Sequence, residues 1–287
     1  MVAGFLISAV GALVLAVGTI IQRIMLKKKK VGIKLYQTAE FAAMVLVSLP
    51  LLFFFWRLDA QALELRNIII FIIVGIFSII ANLFLYYSMK WEKVTHIEPA
   101  KLTESLFVII LAIIFSFIFG EGLYERDLRV IIPALIASLA LIFSHIRKHH
   151  LDFNKYFIAA ILGSFFFALE LVISRLILDF YSPITFYFMR CALILAISLI
   201  AFRPNLNTFN RREKTSILFV GLMWVIYRFV IYYGFVNSGV IFTTLMIMIS
   251  TVFIYFFAWK FLKEKIEWRN IVAAGIIVAS IVYVLLT

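Results

Sequence analysis

Residues 67–89 read NIIIFIIVGIFSIIANLFLYYSM, 23 positions without an Asp, Glu, Lys or Arg. As a helix, rising about 1.5 Å per residue, such a stretch crosses a hydrocarbon core of roughly 30 Å. Its apolar residues run on consecutively and do not alternate, which speaks for a spanning helix and against a strand of a membrane barrel. Lipid offers the backbone no water to bond, so helices and closed barrels are the only spanning forms available.

Nine further blocks of the same kind flank it. The full set is approximately 2–26, 34–56, 67–89, 96–119, 128–146, 156–178, 183–202, 215–236, 239–262 and 268–286. The reading is an all-α integral membrane protein of ten transmembrane helices. Composition agrees: mean hydropathy is +1.09, and only 15% of residues are charged, against roughly 25% in a soluble domain. The first block has no basic stretch before it and no evident cleavage site, so it reads as a retained span and not a signal peptide. The connections are short and leave no room for a soluble domain.

The charges set an orientation. Of 27 Lys and Arg residues, 18 fall in connections on one side, including Lys27 to Lys30, Arg211, Arg212, Lys214, Lys260, Lys263 and Lys265. Four, Arg57, Arg66, Arg126 and Arg129, fall on the other. The positive-inside rule places the basic side in the cytoplasm and both termini outside, in a multi-pass plasma-membrane protein. The net charge of +12 then belongs beside anionic lipid, and nucleic acid is not an expected partner. A lone cysteine, Cys191, excludes an intrachain disulfide. Four histidines without ligand spacing give no metal site, and no cofactor is expected.

The chain also repeats itself. GALVLAVGTIIQRIML (11–26) lies over GSFFFALELVISRLIL (163–178), pairing Gly11 with Gly163, Ala16 with Ala168 and Arg23 with Arg175. LYYSMKWEKV (85–94) resembles IYYGFVNSGV (231–240). FGEGLYERDLRVIIPALIASLAL (119–141) resembles LKEKIEWRNIVAAGIIVASIVYV (262–284). Three pairs in the same order divide the chain into repeats at 1–146 and 155–287, five spans each. An odd number of spans per repeat turns the second copy upside down. Inverted repeats around a central cavity are a mark of secondary transporters.

These segments resemble the EamA family of the drug/metabolite transporter superfamily. In that family a long helix ends in a Gly-Glu or similar pair, followed by a polar turn and a small-residue-rich final helix. Here the pairs are Gly120-Glu121 and Lys263-Glu264, and the stretch 86–121 is similar to a third-to-fourth helix segment. Arg190 stands where many members carry an arginine in the second helix of a repeat; the first half departs, with Glu40 near the matching place. The resemblance implies a ten-helix inverted-repeat carrier with a central cavity. It names no substrate, because members move amino acids, nucleotide sugars, drugs and other metabolites.

Ionisable residues inside spans are costly and mark candidate sites. Glu98, Lys101, Glu104 and Ser105 share one face of the fourth span, with Pro99 near its start. Glu98 and Lys101 read either as a snorkelling pair or as cavity groups; Glu104 reads as the proton-coupling candidate. Glu170 is expected to face a cation, Arg190 or Arg228, either as a permanent ion pair or as one that a zwitterion competes for. Glu40 also needs a partner, with Lys101 a candidate. Tyr86 joins Asn82 and Lys90 in a stripe spaced by four, and Trp224, Arg228 and Tyr232 repeat that stripe on the eighth span. The substrate-binding set is thus Glu40, Tyr86, Lys101, Glu104, Glu170, Arg190, Trp224 and Arg228. Small residues on spans one and ten, among them Gly4, Ser8, Gly11, Gly18 and Gly275, read as packing. Glu121, Glu125 and Asp127 read as a solvated turn.

The expected function is secondary active export of a small metabolite, such as an amino acid or related zwitterion, by alternating access. The partners are that substrate and the bilayer, with the chain a monomer or homodimer. An intramembrane enzyme would need HExxH, GxSxG or a similar constellation, and none is present. A flippase of a lipid-linked sugar, or a lipid-processing protein, is the alternative reading.

Overall fold

The computed structural model describes residues 2–28, 31–92, 94–120, 122–145, 154–253 and 267–287, apart from the side chains of 2–9, 23, 94–99 and 145. Its helices are α1 (Val2–Leu26), α2 (Ile33–Phe55), α3 (Leu65–Trp91), α4 (Val94–Phe119) and α5 (Leu128–His145). Further along the chain come α6 (Lys155–Ser174), α7 (Pro183–Phe202), α8 (Arg211–Asn237), α9 (Val240–Ile247) and α10 (Trp268–Leu286). Among the described residues, extended backbone pairs only at an isolated bridge, Leu58 with Tyr181.

Local chemistry explains several boundaries. The Asn154 side chain accepts from the backbone N–H of Tyr156 and Phe157, which starts α6. Ser182 accepts from Thr185 N–H, and Pro183 occupies the first turn of α7, where its missing N–H costs nothing. Asn210 and Glu213 form a reciprocal capping box at α8. Pro50 and Pro133 lie inside α2 and α5, as membrane helices tolerate.

Among the described residues, seven helices are long and apolar enough to cross a membrane, and Val10–Leu26, Leu128–Ser144 and Val240–Phe253 are shorter apolar helices. The chain is therefore an all-helical, multi-pass membrane protein. Three boundaries differ from the sequence reading. The helix α4 begins at Val94, so Pro99 falls in its second turn and not its first. The helix α6 stops at Ser174, and residues 175–182 make tight turns instead of continuing the span. The regular helix α9 breaks at Met248, whose N–H is shared between the carbonyls of Thr244 and Leu245, and resumes at residues 249–253. The rest of the expected ninth span, 254–262, lies outside the described residues.

The halves interlock. α3 packs against α6 and α1 against α8; α2 packs on α7 and α8, and α5 on α10. Between apolar helices in lipid there is little hydrophobic drive, so close van der Waals contact has to hold them. Gly163 brings α6 onto the α3 backbone, where a Cβ would sit 3.2 Å from both the Ala81 carbonyl oxygen and the Leu85 nitrogen. Gly11 makes room on α1 for the Val230 side chain of α8, whose Cγ1 a Cβ would meet at 2.8 Å. The outward face is apolar, with Phe53 88%, Phe117 74% and Ile200 74% exposed, as lipid contact requires.

Candidate functional site

Two buried carboxylates organise the interior. Glu170, on α6, is 0% exposed. It pairs with Arg190 of α7 at close contact and with Arg228 Nη1 of α8 at 3.1 Å. Tyr232 donates its hydroxyl to Glu170 Oε1 at 2.8 Å, and Ser174 donates to the Glu170 backbone carbonyl at 2.6 Å. The Arg190 guanidinium lies over the Tyr187 ring at 5.0 Å and the Arg228 guanidinium over Phe167 at 5.5 Å. Both cations expected from sequence thus reach the one carboxylate. The cluster carries a formal charge of +1, two guanidiniums against one carboxylate.

Glu40, on α2, is also 0% exposed. Tyr86 of α3 donates to Glu40 Oε2; Gln22 of α1 donates to Oε1 at 2.8 Å, and Tyr36 to Oε1 at 3.4 Å. The Tyr36 and Tyr86 rings meet edge-on at 5.5 Å. Lys101 is not its partner, contrary to expectation. Lys101 belongs to α4, whose main packing partners are α6, α5 and α9, with α2 not among them. Its backbone carbonyl, like that of Ala100, accepts from Ser164 of α6.

A cavity of about 140 Å³ lies between the helices. Lys101, Glu104 and Ser105 of α4, Trp224, Tyr227 and Arg228 of α8, and Gln22 of α1 contribute to its wall. Ile247, Met248, Ser250 and Thr251 line it as well, so the break in α9 faces this space. Irregular backbone within a membrane is tolerated where it borders such a cavity. An adjoining void of about 20 Å³ is bordered by Asn82, Tyr86, Arg190, Trp224 and Arg228, among others. Six of the eight expected residues therefore border the cavity or the void: Tyr86, Lys101, Glu104, Arg190, Trp224 and Arg228. Glu40 and Glu170 stand one layer behind, bonded to residues of the wall. The side chain of Glu98 lies outside the described residues.

The stripes divide their labour. Asn82 and Tyr86 reach the void, whereas Lys90 donates to the Val31 carbonyl. Gln22 and Tyr36 were not foreseen as part of this arrangement. Tyr36 is four residues before Glu40, a helical spacing that already places both on one face; Gln22 is a polar residue within an apolar run, a signal of the same kind.

One end of the bundle is tied by groups that the sequence reading left as solvated. Glu125, between α4 and α5, accepts from the N–H groups of Val240, Ile241 and Phe242 at 2.8, 3.1 and 2.9 Å, and so caps α9. A carboxylate there satisfies orphan donors and meets the positive end of the helix dipole. This overturns the reading of Glu125 as a solvated turn residue; only the fold brings α9 to it. The connections α2–α3 and α6–α7 also join. Asp59 N–H donates to the Phe180 carbonyl at 2.9 Å, and Ser182 N–H to the Arg57 carbonyl at 3.1 Å. The Arg57 guanidinium, hydrogen-bonded to exposed Asp59, holds that carboxyl below its usual range.

Comparison with known proteins accords with this architecture. Among solved structures, 28 chains match. One, described only as the crystal structure of a protein, aligns with a TM-score of 0.69 at 14% identity, covering 99% of this chain and 97% of that one; likeness at this identity is of fold alone. No match was found among curated proteins. The model of the EamA-like transporter family matches twice, over residues 2–149 and 154–286. With nearly its whole length accounted for by that double match, the chain belongs to the EamA-like transporter family, within the drug/metabolite transporter superfamily.

Proposed function

We propose that this protein is a secondary active carrier that exports a small zwitterion, such as an amino acid, by alternating access of two inverted five-helix repeats, 1–146 and 155–287. The observation that carries the reading is a charged cavity walled by both halves, with Arg228 from α8 and Lys101 and Glu104 from α4. The Glu170 cluster keeps one cation in excess, which suits a substrate carboxylate, and Glu104 suits its ammonium group. Several observations support the inverted repeat. The contact α3 with α6 has its counterpart in α1 with α8, and the aligned glycines Gly163 and Gly11 sit at those two crossings. The aligned tyrosines Tyr86 and Tyr232 each donate to a buried carboxylate.

The volume of about 140 Å³ is below the roughly 300–1,000 Å³ of drug-sized pockets, which favours a small metabolite over a lipid-linked sugar. Glu104 is the coupling-proton candidate. The carrier works without a cofactor, as a monomer or homodimer, in the plasma membrane with both termini outside. The test is exchange of radiolabelled amino acids in proteoliposomes preloaded with an unlabelled amino-acid mixture. The wild type exchanges; Arg228→Gln loses exchange; Glu104→Gln keeps it with an altered response to pH. Absence of exchange for every amino acid in the wild type overturns the substrate class.

A further inference from the structure

The two buried carboxylates differ in what they can do with a proton. Glu170 faces two guanidiniums, groups that donate and never accept. A protonated Glu170 would strand two buried cations, so this carboxyl stays ionised. Among the described residues Glu40 faces neutral groups, with Trp224 of α8 beside it as well. Tyr86, Gln22 and Tyr36 bond it, and among the described residues it makes no ion pair. The cations of the neighbouring helices α7 and α8, Arg190 and Arg228, are engaged with Glu170. On α7, the Tyr187 hydroxyl is turned to Met44 Sδ at 3.0 Å.

A charge buried without a counter-charge is expensive, and binding a proton removes the cost. The cage suits both forms. A tyrosyl hydroxyl accepts as readily as it donates, and a glutamine amide offers either its N–H or its oxygen. The ionised carboxylate takes three donors. The acid instead donates its new O–H to the Tyr86 oxygen or the Gln22 amide oxygen, which frees that group's own donor from Glu40. Gln22 borders the cavity and Tyr86 the adjoining void, so the donor that Glu40 releases on protonation belongs to the wall.

We infer that Glu40 is a proton-binding site, separate from the Glu170 cluster, whose occupancy is passed to the cavity by Gln22 and Tyr86. Proton binding forms one O–H bond on Glu40 and breaks one O–H bond of a hydronium ion, which leaves as water, with no change of oxidation state. The linkage to the cavity rests on the proposed transport reading; the proton site itself does not.

Infrared spectroscopy of the purified protein, titrated above about pH 5.5 where exposed acids are ionised, tests the site without a substrate. In a Glu104→Gln background a buried carboxylic C=O band is expected to titrate, and to vanish when Glu40→Gln is added. Tyr86→Phe keeps the ring and removes one donor to the ionised form, so the band should persist with a changed midpoint, and an unchanged midpoint overturns the part assigned to Tyr86. No titrating band in the Glu104→Gln protein, or a band that survives Glu40→Gln, overturns the site and leaves the transport reading standing. For the linkage, Gln22→Leu in the otherwise native chain is expected to shift the pH midpoint of amino-acid exchange, and an unchanged profile overturns that part.

Discussion

Replacing Glu170 with glutamine keeps the shape of the side chain and removes the anion between two buried guanidiniums. At 3.1 Å from Arg228, a unit charge pair is worth about 5 kcal/mol at an effective dielectric of ~20. Arg190 lies at least as close. Desolvation of the three ions opposes this attraction, and breaking a buried pair by deleting one partner costs about 3–5 kcal/mol. Glu170→Gln is therefore expected to destabilise by about that amount. Arg228→Gln is a different case, because it leaves the Arg190–Glu170 pair intact and takes the cluster from +1 to neutral; its expected cost is about 1 kcal/mol. The double variant should recover part of the loss, because one of the two stranded cations is gone. Unfolding by SDS titration in mixed micelles, followed by tryptophan fluorescence, gives all three differences. A Glu170→Gln protein within about 1 kcal/mol of wild type, or an Arg228→Gln protein as damaged as it, refutes the account of one anion serving two cations.

Other perturbations report on three separate parts of the fold. Glu125→Gln replaces the anionic cap of α9 and should cost about 1–2 kcal/mol in the same titration; Gly239→Ala should cost more, because the φ of Gly239 is +95°, in the region that favours glycine, and a Cβ would fall 2.1 Å from Glu125 Oε1. Gly163→Leu meets the backbone of α3 on both sides and is expected to lower stability by about 1–3 kcal/mol, whereas Gly275→Ala, with nothing within 4 Å, should be neutral. Leu58 and Tyr181 form the non-hydrogen-bonded pair between two cross-connection bonds, where Cα atoms lie about 4.5 Å apart. Leu58→Cys with Tyr181→Cys should close a disulfide under mild oxidation and stop exchange until reduced. Cys191 is buried and does not compete. Exchange that continues through the crosslinked form refutes opening at this end.

Much of the interior could be read from spacing alone. Ionisable residues in apolar runs stand out because lipid makes them costly, and that pointed to Glu40, Glu104, Glu170, Arg190 and Arg228. The stripe of Trp224, Arg228 and Tyr232 follows from helical periodicity. The pairing of Glu170 with a cation followed from charge balance, although not that both arginines would share it. Partners across helices were harder. Lys101 was a reasonable counter-ion for Glu40 on charge grounds, but α2 is not among the main packing partners of α4, and three neutral groups took its place. Glu125 looked like one of several acids in a polar turn, and its role as a cap depends on a helix 115 residues further on.

The linear chain thus decided which segments enter the membrane and which of their residues are polar, because the choice of solvent depends on local composition over about 20 residues. The folded chain alone decided which polar groups meet. That depends on which helices approach closely enough, through glycines such as Gly163 and Gly11, and on where a helix such as α9 gives up its regular bonds. The same principle separates the two buried carboxylates: both were legible as charges, but whether each would face cations or neutral donors was settled by helix packing between residues far apart in sequence.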